Sequence, residues 1–178
     1  MRHIKFIRSI SLIISLFLIT SCSNNSAMKP EDFKNKEPRL IIEEYMTGNV
    51  KAWGVLQNRS GKVTRQFSAD LNGAWDGKKL ILKEKFNWDD GEVQDREWII
   101  NKIDEHNYEG TAGDVVGKAK GYSYGPAFKF EYVLLVPVKG KEMKITFDDW
   151  IFKQDDRVAI NRATMTKFGF KVAELTVV

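Results

Sequence analysis

The chain has 178 residues, a length that suits one domain. Its formal net charge of +4 comes mostly from the first 21 residues, which hold three basic side chains and no acidic ones. Residues 22–178 carry 25 Lys and Arg against 24 Asp and Glu, so their charge gives no indication of nucleic-acid binding.

The N-terminal segment has the three parts of a secretory signal peptide. Arg2, Lys5 and Arg8 form a basic head, residues 10–19 are an apolar run, and small residues precede Cys22. A membrane-spanning helix needs about 20 apolar residues, so a retained transmembrane anchor is the less favoured alternative. We expect residues 1–21 to be removed as a signal peptide.

Cys22 is the only cysteine of the sequence, and it ends the segment Leu-Ile-Thr-Ser-Cys. This segment resembles the bacterial lipobox, in which the cysteine is acylated and becomes the first residue of the mature chain. The resemblance implies a lipid anchor at Cys22, a polar tether over residues 22–38 and a folded domain over residues 39–178. Ser23 stands after the cysteine where aspartate would direct retention in the inner membrane. By resemblance to enteric-type sorting, this favours the outer membrane, with the domain facing the periplasm.

The folded domain has the pattern of an all-β protein. Turn-forming residues recur every 8 to 15 positions, and runs rich in Val, Ile, Phe, Tyr and Trp alternate with period two between them. No long segment shows a helical period. We therefore predict a single antiparallel up-and-down barrel of about eight to ten strands.

One hairpin register follows from the turn Asp89-Asp90-Gly91. A three-residue loop closed by glycine places Glu84 opposite Arg96 and Leu82 opposite Trp98. A shift by one residue would move lysines onto the face of Trp98 instead. We therefore predict that the apolar face of this hairpin carries a Glu–Arg pair.

Two further hairpins give similar predictions. A turn at residues 59–61 places Trp53 opposite Phe67 and Val55 opposite Arg65. A turn at residues 154–156 places Trp150 opposite Ile160, Phe152 opposite Val158 and Asp148 opposite Arg162. In each hairpin an arginine falls on the mainly apolar face, where it must be paired or must meet a ligand.

Two interpretations of these charges remain open. The acid–arginine pairs can be satisfied contacts that set the strand register. They can also be a polar cluster in a cavity, where Arg65, Arg96 or Arg162 meets an anionic head group. The candidate ligand-binding residues under the second interpretation are Trp53, Arg65, Phe67, Glu84, Phe86, Arg96, Trp98, Asp148, Trp150, Asn161 and Arg162.

Catalytic and metal-binding patterns find little support. His106 is the one histidine after Cys22, and we expect it in a solvated turn. The chain has too few Cys and His residues for a zinc site, and Asp148-Asp149 lacks the ligand spacing of a calcium loop. Residues 110–121 are rich in small residues but lack a phosphate-loop motif, which favours a barrel bend or a close backbone approach. We predict no catalytic residue, no metal and no cofactor.

Several motifs resemble the DUF3833 family of bacterial lipoproteins. They are Trp53-Gly54, Phe86-Asn87-Trp88-Asp89-Asp90-Gly91, Arg96-Glu97-Trp98, the segment Glu109 to Gly117, Phe147-Asp148-Asp149-Trp150, and Asn161 to Gly169. The likeness runs from about Gly48 to the C-terminus. It implies a calycin-like (lipocalin-like) β-barrel and no established activity, because the function of the family is unknown.

Three functions remain as hypotheses. The first is binding of a small apolar or amphipathic molecule, such as a lipid or fatty acid, inside the barrel. The second is a structural or interaction role in the envelope, with a filled barrel. The third is an enzyme that acts through the region of Asp148, Asp149 and Arg162. We expect the membrane as a partner through the acyl chains and no nucleic acid; protein partners stay open.

Overall fold

The computed structural model describes residues 27–138 and 140–178, and residues 48–138 and 140–178 form one antiparallel β-barrel. The ten strands are β1 (Gly48–Asn58), β2 (Val63–Trp75), β3 (Lys79–Trp88), β4 (Val93–Lys102), β5 (Asn107–Thr111), β6 (Ala119–Tyr124), β7 (Ala127–Val138), β8 (Lys141–Lys153), β9 (Ala159–Lys167) and β10 (Phe170–Val177). The prediction of an up-and-down barrel of about eight to ten strands is confirmed.

Each strand pairs with its neighbours in sequence, and β1 also pairs with β10 to close the barrel. Closure satisfies the backbone hydrogen bonds that an open sheet edge would expose. The turns β2–β3, β4–β5, β6–β7 and β8–β9 lie at one end, called here the helix end. The turns β1–β2, β3–β4, β7–β8 and β9–β10 and the β5–β6 loop lie at the other, called here the far end.

The described helices are short and precede the barrel. A 3₁₀ turn spans Pro30–Phe33 and helix α1 spans Ile42–Tyr45. No helix in the described part of the chain is long and apolar enough to cross a membrane. The predicted signal peptide and Cys22 lie outside the described residues.

The segment that contains these helices lies across the helix end. Phe33 packs against Trp150 and Phe152, with ring centroids 5.9 and 5.5 Å away. Leu40 is fully buried, and its backbone N–H donates to the carbonyl of Gly125 in the β6–β7 turn. Helix α1 adds Ile42 to the core of the barrel. The chain before β1 therefore covers part of the helix end.

The β3–β4 register matches its prediction. Glu84 pairs with Arg96, Leu82 with Trp98 and Phe86 with Gln94. The loop Asp89-Asp90-Gly91 has glycine at a positive φ of 87°, as such a turn requires. The predicted Glu–Arg pair on the inner face is confirmed.

The predicted register of β1 and β2 is wrong by one residue. Gly54, and not Trp53, lies opposite Phe67, because a β-bulge between Leu56 and Gln57 shifts the pairing. A bulge adds one unpaired residue to a strand and reverses the face of every residue beyond it. Gly54 therefore faces inward, where a Cβ atom would come within 2.3 Å of the Phe67 ring, and Trp53 faces outward.

The predicted register of β8 and β9 is wrong by two residues. Trp150 lies opposite Arg162, and Asp148 lies opposite Thr164. The turn is centred one residue later than predicted, because Asp155 Oδ1 accepts the backbone N–H groups of Arg157 and Val158. The predicted Asp148–Arg162 pair does not form.

Candidate functional site

The barrel encloses an interior cavity of about 270 Å³ near the helix end. Its walls are mostly apolar, and several of its lining residues belong to the main hydrophobic core, among them Leu82, Trp98, Ile100, Phe128 and Phe130. Ligand pockets usually measure about 300–1,000 Å³. The cavity therefore fits a small molecule, or one apolar part of a larger one.

The cavity reaches the surface beside α1. Its lining includes Tyr45 and Met46 from the segment before β1, together with Trp53, Val158 and Val178. Trp53 is 60% exposed although it contacts the cavity, so it marks the mouth. An aromatic ring at a mouth offers a large apolar surface to an entering molecule.

A charged group of three residues lies in the interior wall. Arg96 donates from Nε and Nη2 to Asp114 Oδ2, over 3.0 and 2.7 Å. Its Nη1 lies 3.8 Å from Glu84 Oε2. Burial opposes the charge of Arg96, but the hydrogen bonds to Asp114 and the charge of Glu84 hold its pKa above the usual value.

Glu84 is the group of this site with the least satisfied hydrogen-bonding capacity. Its Oε2 atom is buried and has no hydrogen-bond partner among the described residues, although the residue lines the cavity. Burial raises the pKa of Glu84 to about 7, against the attraction of Arg96, and the charges of Asp149 and Asp114 add to the increase. A buried oxygen without a partner favours a ligand that can donate a hydrogen bond.

A second polar group faces the cavity from β7, β8 and β9. Tyr132 donates its hydroxyl to Asp149 Oδ2 over 2.9 Å, and the side-chain amide of Asn161 donates to Asp149 Oδ1. Burial raises the pKa of Asp149, while these hydrogen bonds oppose the increase. The pKa of Tyr132 is well above its usual value because the ring is buried beside this carboxylate. The polar cluster, defined here as Glu84, Arg96, Asp114, Tyr132, Asp149 and Asn161, thus holds three carboxyl groups and one cation.

Most of the predicted site residues line the cavity. These are Trp53, Phe67, Glu84, Phe86, Arg96, Trp98 and Asn161. Glu84, Phe86, Arg96 and Trp98 were predictable because period-two alternation on β3 and β4 fixes which side chains face inward. Whether they bind a ligand stays a prediction.

The remaining predicted residues lie elsewhere. Arg65 lies toward the far end, where it stacks on Trp88 and pairs with Asp90 and Glu92, each at 2.8 Å. Trp150 faces outward and is covered by Phe33.

Asp148 and Arg162 also lie outside the cavity. Asp148 contacts Lys129 at 3.5 Å, and Arg162 pairs with Glu174. Each of Arg65, Arg96 and Arg162 is paired with carboxylates, and Arg96 is the one of the three that lines the cavity. Whether it meets an anionic head group stays a prediction. The hypothesis of an active site built from Asp148, Asp149 and Arg162 loses its geometry, since Asp149 alone lines the cavity.

Several residues of the site were not predicted from the sequence. Tyr132 and Asp114 belong to the polar cluster, and Tyr45 and Met46 line the mouth. The alternation along residues 128–132 could have identified Tyr132 as inward-facing. Asp114 lies in a loop, where no periodicity applies.

The segment rich in small residues makes close approaches, as predicted. A Cβ atom on Gly110 would come within 2.4 Å of the Phe130 ring, and one on Gly121 within 2.9 Å of Phe128 and Tyr108. Between these glycines, the loop of residues 112–118 joins the wall through a bridge between Val115 and Leu134. Glycine is therefore required where aromatic rings cross the strands.

The fold and the site define a closed, ten-stranded antiparallel β-barrel with a small internal cavity that is apolar at its walls and acidic in its polar part. The chain belongs to the DUF3833 family, described as a protein of unknown function, whose model matches residues 16–178. A search of curated proteins finds no match.

Proposed function

We propose that this protein binds a small amphipathic molecule inside its barrel, with an apolar part against the cavity walls and a hydrogen-bond donor at Glu84. The observation that carries the proposal is the buried Glu84 Oε2 atom, which lines the cavity without a hydrogen-bond partner among the described residues. An unpaired buried acceptor costs about 1–3 kcal/mol, and a donor on a ligand would remove that cost.

The chemistry of the cluster selects the head group. An anionic group would lie beside Glu84 and Asp149, while Arg96 is already bound to Asp114. An amine or a hydroxyl avoids this repulsion and donates to Glu84. We therefore expect aliphatic amines and alcohols to bind better than fatty acids of equal chain length.

The proposal can be tested with the fluorescent probe N-phenylnaphthylamine and residues 27–178. We expect the probe to bind and to be displaced by dodecylamine or dodecanol more readily than by dodecanoate at pH 8. Ala52 lines the cavity, so Ala52→Phe should abolish probe binding. Lys85 is exposed on β3, and Lys85→Phe serves as the matched control that leaves binding unchanged.

A filled barrel with a structural or interaction role is the second candidate. The half of the barrel near the far end supports it, because Leu134, Ile145, Phe147 and Ala163 form a second core cluster there. Absence of probe binding, together with no co-purified small molecule in native mass spectrometry, would favour this candidate and reject the first.

We further propose that the protein is an envelope lipoprotein, anchored through Cys22 in the bacterial outer membrane and facing the periplasm. The signal-like residues 1–21 support this, and the family match, which begins at residue 16, extends over Cys22. Two acyl chains would give stable anchoring. Metabolic labelling with an alkyne palmitate should mark the native chain and not Cys22→Ser, and the labelled chain should sediment with outer membranes.

A further inference from the structure

The turn between β9 and β10 presents two aromatic rings to solvent. Phe168 is 88% exposed and Phe170 is 68% exposed. Lys167 lies over the Phe168 ring with its Nζ atom 5.2 Å from the centroid. Exposed large apolar side chains next to one another mark interaction sites more often than isolated ones do.

The backbone of this turn has a conformation that is unfavourable for phenylalanine. Phe168 and Gly169 have φ values of 51° and 80°, and Lys167 pairs with Phe170 across them. Positive φ at both central residues defines a type I′ turn, for which Asn-Gly is the favoured sequence. A bulky residue is a conformational outlier at the first of these positions. Such strain persists where function requires the side chain.

Cations surround these rings on adjacent hairpins. In the barrel, β9 and β10 lie between β8 and β1, so the β9–β10 turn is flanked by the β7–β8 and β1–β2 turns. These three turns carry the basic rim, which consists of Arg59, Lys62, Lys141, Lys144 and Lys167. None of these five side chains makes an ion pair with another residue in ranges 27–138 and 140–178.

Around the β9–β10 turn, acidic residues are fewer than basic ones. Glu142 lies on the β7–β8 hairpin, and Glu174 is paired with Arg162 and Lys171. The β3–β4 turn is acidic, but Arg65 pairs with its Asp90 and Glu92. The positive charge is thus concentrated around the exposed phenylalanines and not spread over the whole end.

We propose that the β9–β10 turn and the basic rim form a docking surface for an anionic lipid bilayer. The two rings would enter the interface between head groups and acyl chains, and the lysines would contact the anionic head groups. Amphipathic surfaces bind bilayers by this combination of apolar burial and electrostatic attraction. The contact does not depend on the interior cavity, and it lies at the opposite end of the barrel from the point where the described chain enters.

The test measures partitioning of residues 27–178 onto phosphatidylcholine vesicles with and without phosphatidylglycerol. These residues close the barrel among themselves and lack Cys22, so no acyl chain contributes. We expect binding to the anionic vesicles, weakening with added salt, and little binding to the neutral ones. Removing Lys141 or Lys144 as Lys→Gln should weaken binding roughly fivefold each.

The decisive variant is Phe168→Asn, which supplies the favoured turn sequence. We expect Tm to rise by roughly 2–4 °C, because the strain is relieved, while vesicle binding falls roughly tenfold or more. Phe170→Thr should also reduce binding while keeping a strand-forming residue. Ile103 is 59% exposed at the helix end, so Ile103→Asn is the control that leaves binding unchanged.

Two results would overturn the proposal. The first is equal binding of the parent protein and Phe168→Asn to anionic vesicles. The second is absence of vesicle binding together with a Phe168-dependent dimer in sedimentation, which would assign the rings to contact between copies of the chain.

Discussion

Arg96 binds Asp114 with two nitrogen atoms, at 3.0 and 2.7 Å, and so joins β4 to the β5–β6 loop. The ladder between β4 and β5 covers only Ile99–Lys102, so residues 93–98 of β4 have no strand partner on that side. The wall of the barrel is therefore closed there by a side-chain pair and not by backbone hydrogen bonds.

Removal of this pair should destabilise the protein and loosen the loop. We expect Arg96→Ala to lower the free energy of unfolding by about 3–5 kcal/mol, because Glu84 and Asp114 lose their buried cation. Urea unfolding measures the loss, and hydrogen exchange should show faster exchange of residues 112–118. Arg59→Ala, at an exposed turn, is the control. An unchanged exchange rate in the loop would contradict this role of the pair.

Glu84 should make stability depend on pH. Its pKa is about 7 when folded and 4.5 in the reference state, so the folded chain retains a proton that the unfolded chain releases between these values. The free energy of unfolding therefore falls as pH rises through this window, and the cost is complete above pH 7.

Glu84→Gln should remove this pH dependence. At pH 8 we expect it to be more stable than the parent protein by up to about 3 kcal/mol, with the difference shrinking toward pH 4.5. Denaturant melts at both pH values measure it. Exposed Glu97 on β4 provides Glu97→Gln as the control. A constant difference between pH 4.5 and 8 would show that Glu84 is not the titrating group.

Gly54 should not tolerate a side chain. A Cβ atom there would come within 2.3 Å of the Phe67 ring, so Gly54→Ala should cost about 1–3 kcal/mol through overpacking. Combining it with Phe67→Leu should recover part of the loss, since the smaller side chain makes room. Thermal melts of the two single variants and the double variant give the coupling, and additive effects would reject the contact.

The segment before the barrel should contribute to stability through Phe33. Phe33→Ala removes the ring that covers Trp150, so we expect a loss of about 1–3 kcal/mol and a red shift of tryptophan fluorescence. Met28→Ala is the control, because Met28 is exposed. If fluorescence stays unchanged, Trp150 is not shielded by this segment.

The strand pattern and the β3–β4 face were predictable, because alternation and the turn at Asp89–Gly91 are local properties. The pairing of β1 with β2 was not, because the bulge at Leu56 has no marker in the sequence. Trp150 was assigned to the inner face because it is apolar, yet it is buried from outside by Phe33, a contact between residues far apart in the chain. The exposure of Phe168 and Phe170 was not predicted, since exposure cannot be read from residue type.

The pairing of β1 with β10 also constrains how the chain folds. The two strands that complete the ring are the first and the last in sequence, so the cylinder cannot form until residues near Val177 are available. Contacts of such long sequence separation slow folding, because the entropy of a large loop is lost before they form. A nascent chain therefore has two strand edges with unpaired backbone groups. We expect it to be most prone to aggregation before β1 pairs with β10.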